Sequence, residues 1–295
     1  MRAAIALTLL LLVAVPVPAH AWGLEAHRFI MDRAIALLPA ELRPMFEKNR
    51  AMVVERAIDP DTWRTAGFVE EPPNHFIDID SEGYGTYPFA GLPREYTAAV
   101  AKFGKDRVTQ NGTLPWRTEE IFGNLRRTFE AYGRGDGYGE FDIPYFSAVL
   151  THYTSDAHVP LHGITNYDGQ LSGQSGVHNR WESRMFERYR DQLTIAPKPI
   201  EPVRDPRAFV FDRVLEDARL TPALLKSDLD AIGNRDVYDD AYYDAFFKAN
   251  RAVMEDRLNK SIAAVAAMIA GAWEAAGKPA VPVKLPVTPQ RRRRP

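Results

Sequence analysis

The chain of 295 residues contains no cysteine. That absence excludes disulfide staples and thiolate metal ligands, so an exported chain of this kind must be held by a large core or by metal. A hydrophobic share of 45% allows the core. Long apolar runs are missing too, with one exception. Ala3 to Val15, behind Arg2 and ahead of Ala19-His20-Ala21, is too short and too close to a small-x-small site to be a membrane span. It reads as a secretory signal over residues 1–21, cut after Ala21, which leaves 274 residues beginning at Trp22 and an expected secreted or periplasmic location. No stretch alternates apolar and polar residues long enough to predict a strand with certainty.

Helical periodicity fills the space. Leu24 to Leu38, Glu41 to Arg56, Leu92 to Phe103, Trp116 to Tyr132, Ile143 to His158, Asn179 to Leu193, Pro206 to Leu225 and Tyr238 to Trp273 all have amphipathic spacing. Asp142 ahead of Ile143-Pro144 predicts an N-cap with proline in the first turn. Residues 65–91, 104–116 and 163–177, rich in Gly, Pro and Asn, read as loops. The expected architecture is one mostly helical, all-α domain over residues 22–277.

Charge is nearly balanced and unevenly spread. Without Arg2, 36 basic residues stand against 39 acidic, a net of −3. The Pro-rich end from Lys278 to Pro295 carries +6 and no acid, which leaves the body near −9. A body of that sign is not a dedicated duplex-DNA binder, and it suits carboxylates that serve cations. Residues 278–295 read as a basic disordered tail.

Six histidines remain after the signal: His27, His75, His152, His158, His162 and His178. His152 and Asp156 are spaced i,i+4, which puts an imidazole and a carboxylate on one helix face. His178 and Glu182 repeat the device. Pro160 ends or kinks the helix and so can swing His162 back toward the same place. His158, two residues after Asp156, faces away and reads as a packing residue. With His27 and His75 these residues form an N/O donor set without sulfur, which suits catalytic zinc. Asp59, Asp61 and Asp78 flank His75 in sequence and extend the set. Trp63, Trp116, Trp181 and Trp273 read as core, and Asn166 and Asp168 as turn formers.

In order and spacing, these residues resemble the zinc-dependent phospholipase C and single-strand-specific zinc nuclease superfamily. The likeness runs from Trp22-Gly23 through Asp61, His75, His152, Asp156, His162 and His178 to Glu182. It implies an all-α fold around three zinc ions and a phosphoester hydrolase in which zinc-activated water attacks phosphorus. Trp22, through its α-amino nitrogen and carbonyl oxygen, would share one ion with His27 and Asp156. Asp61, His75, His152 and Asp156 would hold a second, and His162, His178 and Glu182 a third. Asp59 competes with Asp61 for its place. Asp61-Thr62-Trp63-Arg64 resembles the nuclease pattern, which implies catalytic roles for Asp61 and Arg64 on the phosphoryl group.

The expected activity is that of a single-strand nuclease or 3′-nucleotidase, with phospholipase C as the alternative. His27 follows Trp22 by five positions, a short spacing that resembles the nucleases. Phe76 would stack on a base and Asp78 bond to its edge, which implies single-stranded nucleic acid or nucleotides as partners. The short stretch from His162 to His178 and the glutamate at 182 lean toward phospholipase C and a phospholipid surface. No obligate protein partner is implied.

Overall fold

The computed structural model describes residues 22–281. The expected signal peptide, residues 1–21, lies outside them, as do residues 282–295 of the expected tail. Among the described residues the fold is all-helical with no strand. The helices are α1 (Leu24–Ala34), α2 (Arg43–Lys48), α3 (Arg50–Arg56), α4 (Asp59–Thr65), α5 (Tyr96–Phe103), α6 (Lys105–Gln110) and α7 (Leu114–Gly133). They continue with α8 (Gly139–Asp156), α9 (Val177–Asn179), α10 (Phe186–Tyr189), α11 (Pro206–Ala218), α12 (Thr221–Ile232) and α13 (Asp240–Ala275). No helix among the described residues is long and apolar enough to cross a membrane.

Two helices form the centre. α8 packs against α7, α13, α3 and α1, and every residue from Ser147 to Asp156 is buried. A helix enclosed on all sides loses its polar stripe, so its polar residues must find partners inside. α13 changes character along its length. Phe246, Asn250, Met254, Arg257 and Leu258 form one buried face, whereas everything from Ser261 to Trp273 is buried. Six alanines in that second half let neighbouring backbone approach closely. Gly271 shows how closely: a Cβ there would sit 2.0 Å from the carbonyl oxygen of Val203, whose own N–H donates to Ala267 O at 3.0 Å. Asp239 caps α13 through the N–H of Tyr242, and Asp205 caps α11 through that of Ala208. Each such cap contributes about 1 kcal/mol.

Several predicted helices are interrupted, each for a local reason. The stretch 41–56 breaks at Asn49, whose side-chain amide donates to the Met45 carbonyl and competes with the backbone ladder. The stretch 206–225 breaks before Thr221, because Pro222 at the start of α12 has no N–H to continue α11. Asp142 is not an N-cap: α8 starts three residues earlier, at Gly139, and encloses Pro144. The predicted loop 104–116 contains α6, separated from α5 by Gly104 at φ 83°. Residues 278–281, expected as the start of the tail, are held against the helices. The Trp273 indole donates to Pro279 O at 2.9 Å, and Val281 packs against the core.

Candidate metal centre

The last two turns of α8 carry the centre. His152 and Asp156 point to one side, with Nε2 and Oδ2 3.4 Å apart. The helix ends there, and Val159 is extended ahead of Pro160, as the residue before a proline tends to be. A 3₁₀ turn, Pro160–Gly163, then returns His162 until Nδ1 is 3.9 Å from Asp156 Oδ1. From α1, His27 brings Nε2 to 3.4 Å from the same oxygen, its ring stacked on His152 at 3.9 Å. A second 3₁₀ turn, Pro72–His75, places His75 Nδ1 3.1 Å from Asp156 Oδ2 and 3.0 Å from His152 Nε2. Asp61, on α4, lies 3.9 Å from His75 Nδ1.

His178 and Glu182 stand on a distorted segment. α9 runs directly into a π-helical stretch, Arg180–Met185, which carries Glu182 inward; such wide turns recur at functional sites. His178 Nε2 is 2.8 Å from Glu182 Oε2 and 3.0 Å from His162 Nε2. The connecting loop is closed by Asp168, which accepts from the N–H groups of Gly176 and His178, and by Asn166, which accepts from that of Leu171. Beneath it Arg180 pairs with Asp228 and donates to the carbonyls of Gln174 and Ser175.

Three buried groups therefore have donor atoms within 4.8 Å of one another and could each hold a metal ion: His27–His152–Asp156, Asp61–His75–His152 and His162–His178–Glu182. His152 belongs to two of them. Asp59 joins none; it faces Arg56 instead at 3.5 Å. Trp22 is fully buried beside the first group, its indole donating to Ser155 O at 2.8 Å and tilted against Trp181.

The donor chemistry fits a cation. Two ligands at roughly 2.0–2.1 Å from a tetrahedral ion stand ~3.3 Å apart, close to the nitrogen–nitrogen separations above. The second nitrogens of two rings are already committed. His152 Nδ1 donates to Ala57 O at 2.9 Å. His27 Nδ1 lies 2.8 Å from Ser155 Oγ, whose own hydroxyl donates to the backbone. Both rings thus leave Nε2 as the acceptor nitrogen, turned inward, as in metal-ligating histidines. Both oxygens of Glu182 and Nδ1 of His162 are buried without a hydrogen bond.

The ionisation pattern reports the same crowding. Burial works against the Asp156 carboxylate, yet four imidazoles, His152 foremost, hold it well below its ordinary range. Burial pushes Glu182 up to about 8 against the pull of His162. Burial and the Arg64 charge leave His178 at about 4, with Asp168 opposing. Burial opposes protonation of His75 as well, but Asp156 and Glu71 raise it to about 9.

A cleft of about 360 Å³ opens onto the centre, lined among others by Arg64, His75, Phe76, Asp78, Tyr167 and His178. Its floor is the extended segment after His75. Ile77 and Ile79 face the core and donate to the carbonyls of His162 and Gly163, while Phe76 and Asp78 alternate toward the cleft. Gly112 presses on this segment: its φ is +91°, and a Cβ would meet Phe76 O at 2.2 Å. Burial, then the Asp80 charge, raises Asp78 to about 7. Arg64 is held by Asp61 at 3.3 Å. His158 is elsewhere, donating to Thr154 O and facing Phe209. Tyr167, Ser155, Asp168 and Glu71 were not anticipated as site residues; only Asp168 carries a local signal, as a turn former. Comparison of the sequence with models of known protein families and with curated proteins returns no match.

Proposed function

We propose that the protein is a zinc-dependent phosphoester hydrolase acting on nucleotides or single-stranded nucleic acid, exported and cut so that the mature chain begins at Trp22. One observation carries this reading: three buried histidine–carboxylate groups meet around Asp156 beneath a cleft walled by two aromatic rings. Bound there, zinc would lower the pKa of water and neutralise charge on phosphoryl oxygens. The protein's own residues do the rest. Arg64, oriented by Asp61, faces the cleft with a guanidinium fork suited to phosphate. Phe76 and Tyr167 stand nearly parallel, 6.5 Å apart at 23°. A planar base between two rings needs about 3.5 Å on each side, so a small outward swing of the half-exposed Tyr167 admits one. Asp78, titrating near 7, can accept from or donate to the base edge.

The test is one purified chain beginning at Trp22, offered single-stranded DNA, RNA, a nucleoside 3′-monophosphate and phosphatidylcholine vesicles, with and without chelator. Chelator-sensitive cleavage of the nucleotide substrates is expected; cleavage of lipid alone overturns the substrate assignment. Stacking on a base is worth ~1–3 kcal/mol, so Phe76→Ala raises KM for a nucleoside monophosphate by about tenfold to a hundredfold. An unchanged KM in Phe76→Ala and in Tyr167→Ala removes the base slot. The α-amine of Trp22 exists only after cleavage. A chain retaining one residue before Trp22 therefore binds one zinc fewer and loses most of its activity, as metal analysis beside rate measurement will show.

A further inference from the structure

His75 has an outward-facing nitrogen with a charged neighbour. Its Nδ1 enters the centre, and Nε2 lies on the opposite side of the ring, 3.5 Å from Oε1 of Glu71. Glu71 immediately precedes the 3₁₀ turn that carries His75, four residues away in sequence. It is only 6% exposed, and a carboxylate so buried needs partners. It has them on every side. The Tyr153 hydroxyl donates to Oε1, the Asn74 amide donates to Oε2 at 3.3 Å, and Arg117 stands 3.8 Å from Oε2. Arg117 is itself fixed, lying over the Tyr153 ring and paired with Glu120. The outward nitrogens of His27 and His152 meet a hydroxyl and a carbonyl instead.

We propose that Glu71 is a positioning residue for the metal centre: its buried carboxylate sets the tautomer of His75 and strengthens the hold of the Asp61–His75–His152 group on its ion. The inference rests on the metal-centre reading above. A carboxylate behind an imidazole keeps the proton on Nε2, leaves the lone pair on Nδ1 and makes that lone pair a better donor. Tyr153, Asn74 and Arg117 lock the carboxylate so that the ring cannot turn. Because Glu71 is paired with His75, its effect falls on the ion that His75 holds.

Zinc affinity, measured by competition with a chromogenic chelator, tests this without reference to turnover. In Glu71→Gln, which keeps shape and removes charge, one ion of three binds about 10–100-fold more weakly and the other two are unchanged. Tyr153→Phe shifts the same ion in the same direction by less. Near-ultraviolet circular dichroism of the metal-free variants confirms folding, and Tyr153→Phe remains available if Glu71→Gln does not fold. Three ions bound as tightly in both variants as in the parent overturn the inference alone. A parent chain that takes up no zinc overturns the metal-centre reading instead.

Discussion

Under the proposed function, replacing Asp156 with asparagine is expected to empty the three groups of metal and to lower phosphoester hydrolysis on the order of 10³-fold or more. Asp156 is the side chain that reaches members of all three groups: His27 at 3.4 Å, His152 at 3.4 Å, His75 at 3.1 Å and His162 at 3.9 Å. It is also the carboxylate that those imidazoles hold in its charged form against burial. Asparagine preserves its volume and its place on α8 but supplies no charge and at most one oxygen donor. The histidines around it then lose the counter-charge that lets cations gather in a buried site. The measurement is metal content per chain beside rate, with circular dichroism to establish that α8 remains folded. A variant with three ions and parental activity would sink the assignment of Asp156 as the shared ligand.

The second large effect is on stability. If the three groups hold zinc as proposed, a strong chelator is expected to lower the melting temperature by at least about 10 °C, and returning zinc to restore it. All eight side chains of the three groups are buried, none more than 6% exposed. Without a cation their ionisations are in conflict. Burial pushes the Asp61 and Glu182 carboxyls up and His162 and His178 down, while His75 is raised. A cation resolves that conflict. A ligand present at a thousand times its Kd stabilises by ~4 kcal/mol per site. In a domain of this size each kcal/mol moves Tm by roughly 2–4 °C. With no disulfide to compensate, a melting temperature that ignores the chelator would show that the groups do not bind metal in the folded protein.

Spacing along the chain made part of this site legible. His152 with Asp156 and His178 with Glu182 are i,i+4 pairs, and one turn of helix is short-range geometry that composition and register encode. Pro160 carried similar information: without an N–H it cannot extend the ladder of α8, which ends ahead of it at Asp156, and a 3₁₀ turn follows. The breaks at Asn49 and Pro222 rest on equally local chemistry, yet helical periodicity across them was strong enough to hide them. The π-helical stretch under Glu182 has no sequence signature of its own. Within it Arg180 donates to Asp228 and Tyr242, while Glu182 lies 2.8 Å from His178.

The sequence by itself determined the donor inventory, the cysteine-free N/O chemistry, the helical class, and which pairs of residues share a helix face. Only the tertiary structure decided that residues as distant as His27, Asp61, His75, Asp156 and Glu182 meet, that Tyr167 stands opposite Phe76, and that Glu71 backs His75. The reason is the range of the forces. Helical register depends on neighbours within a turn, whereas these meetings depend on how α1, α4 and α13 close around α8, and on loops held by side chains dozens of residues away.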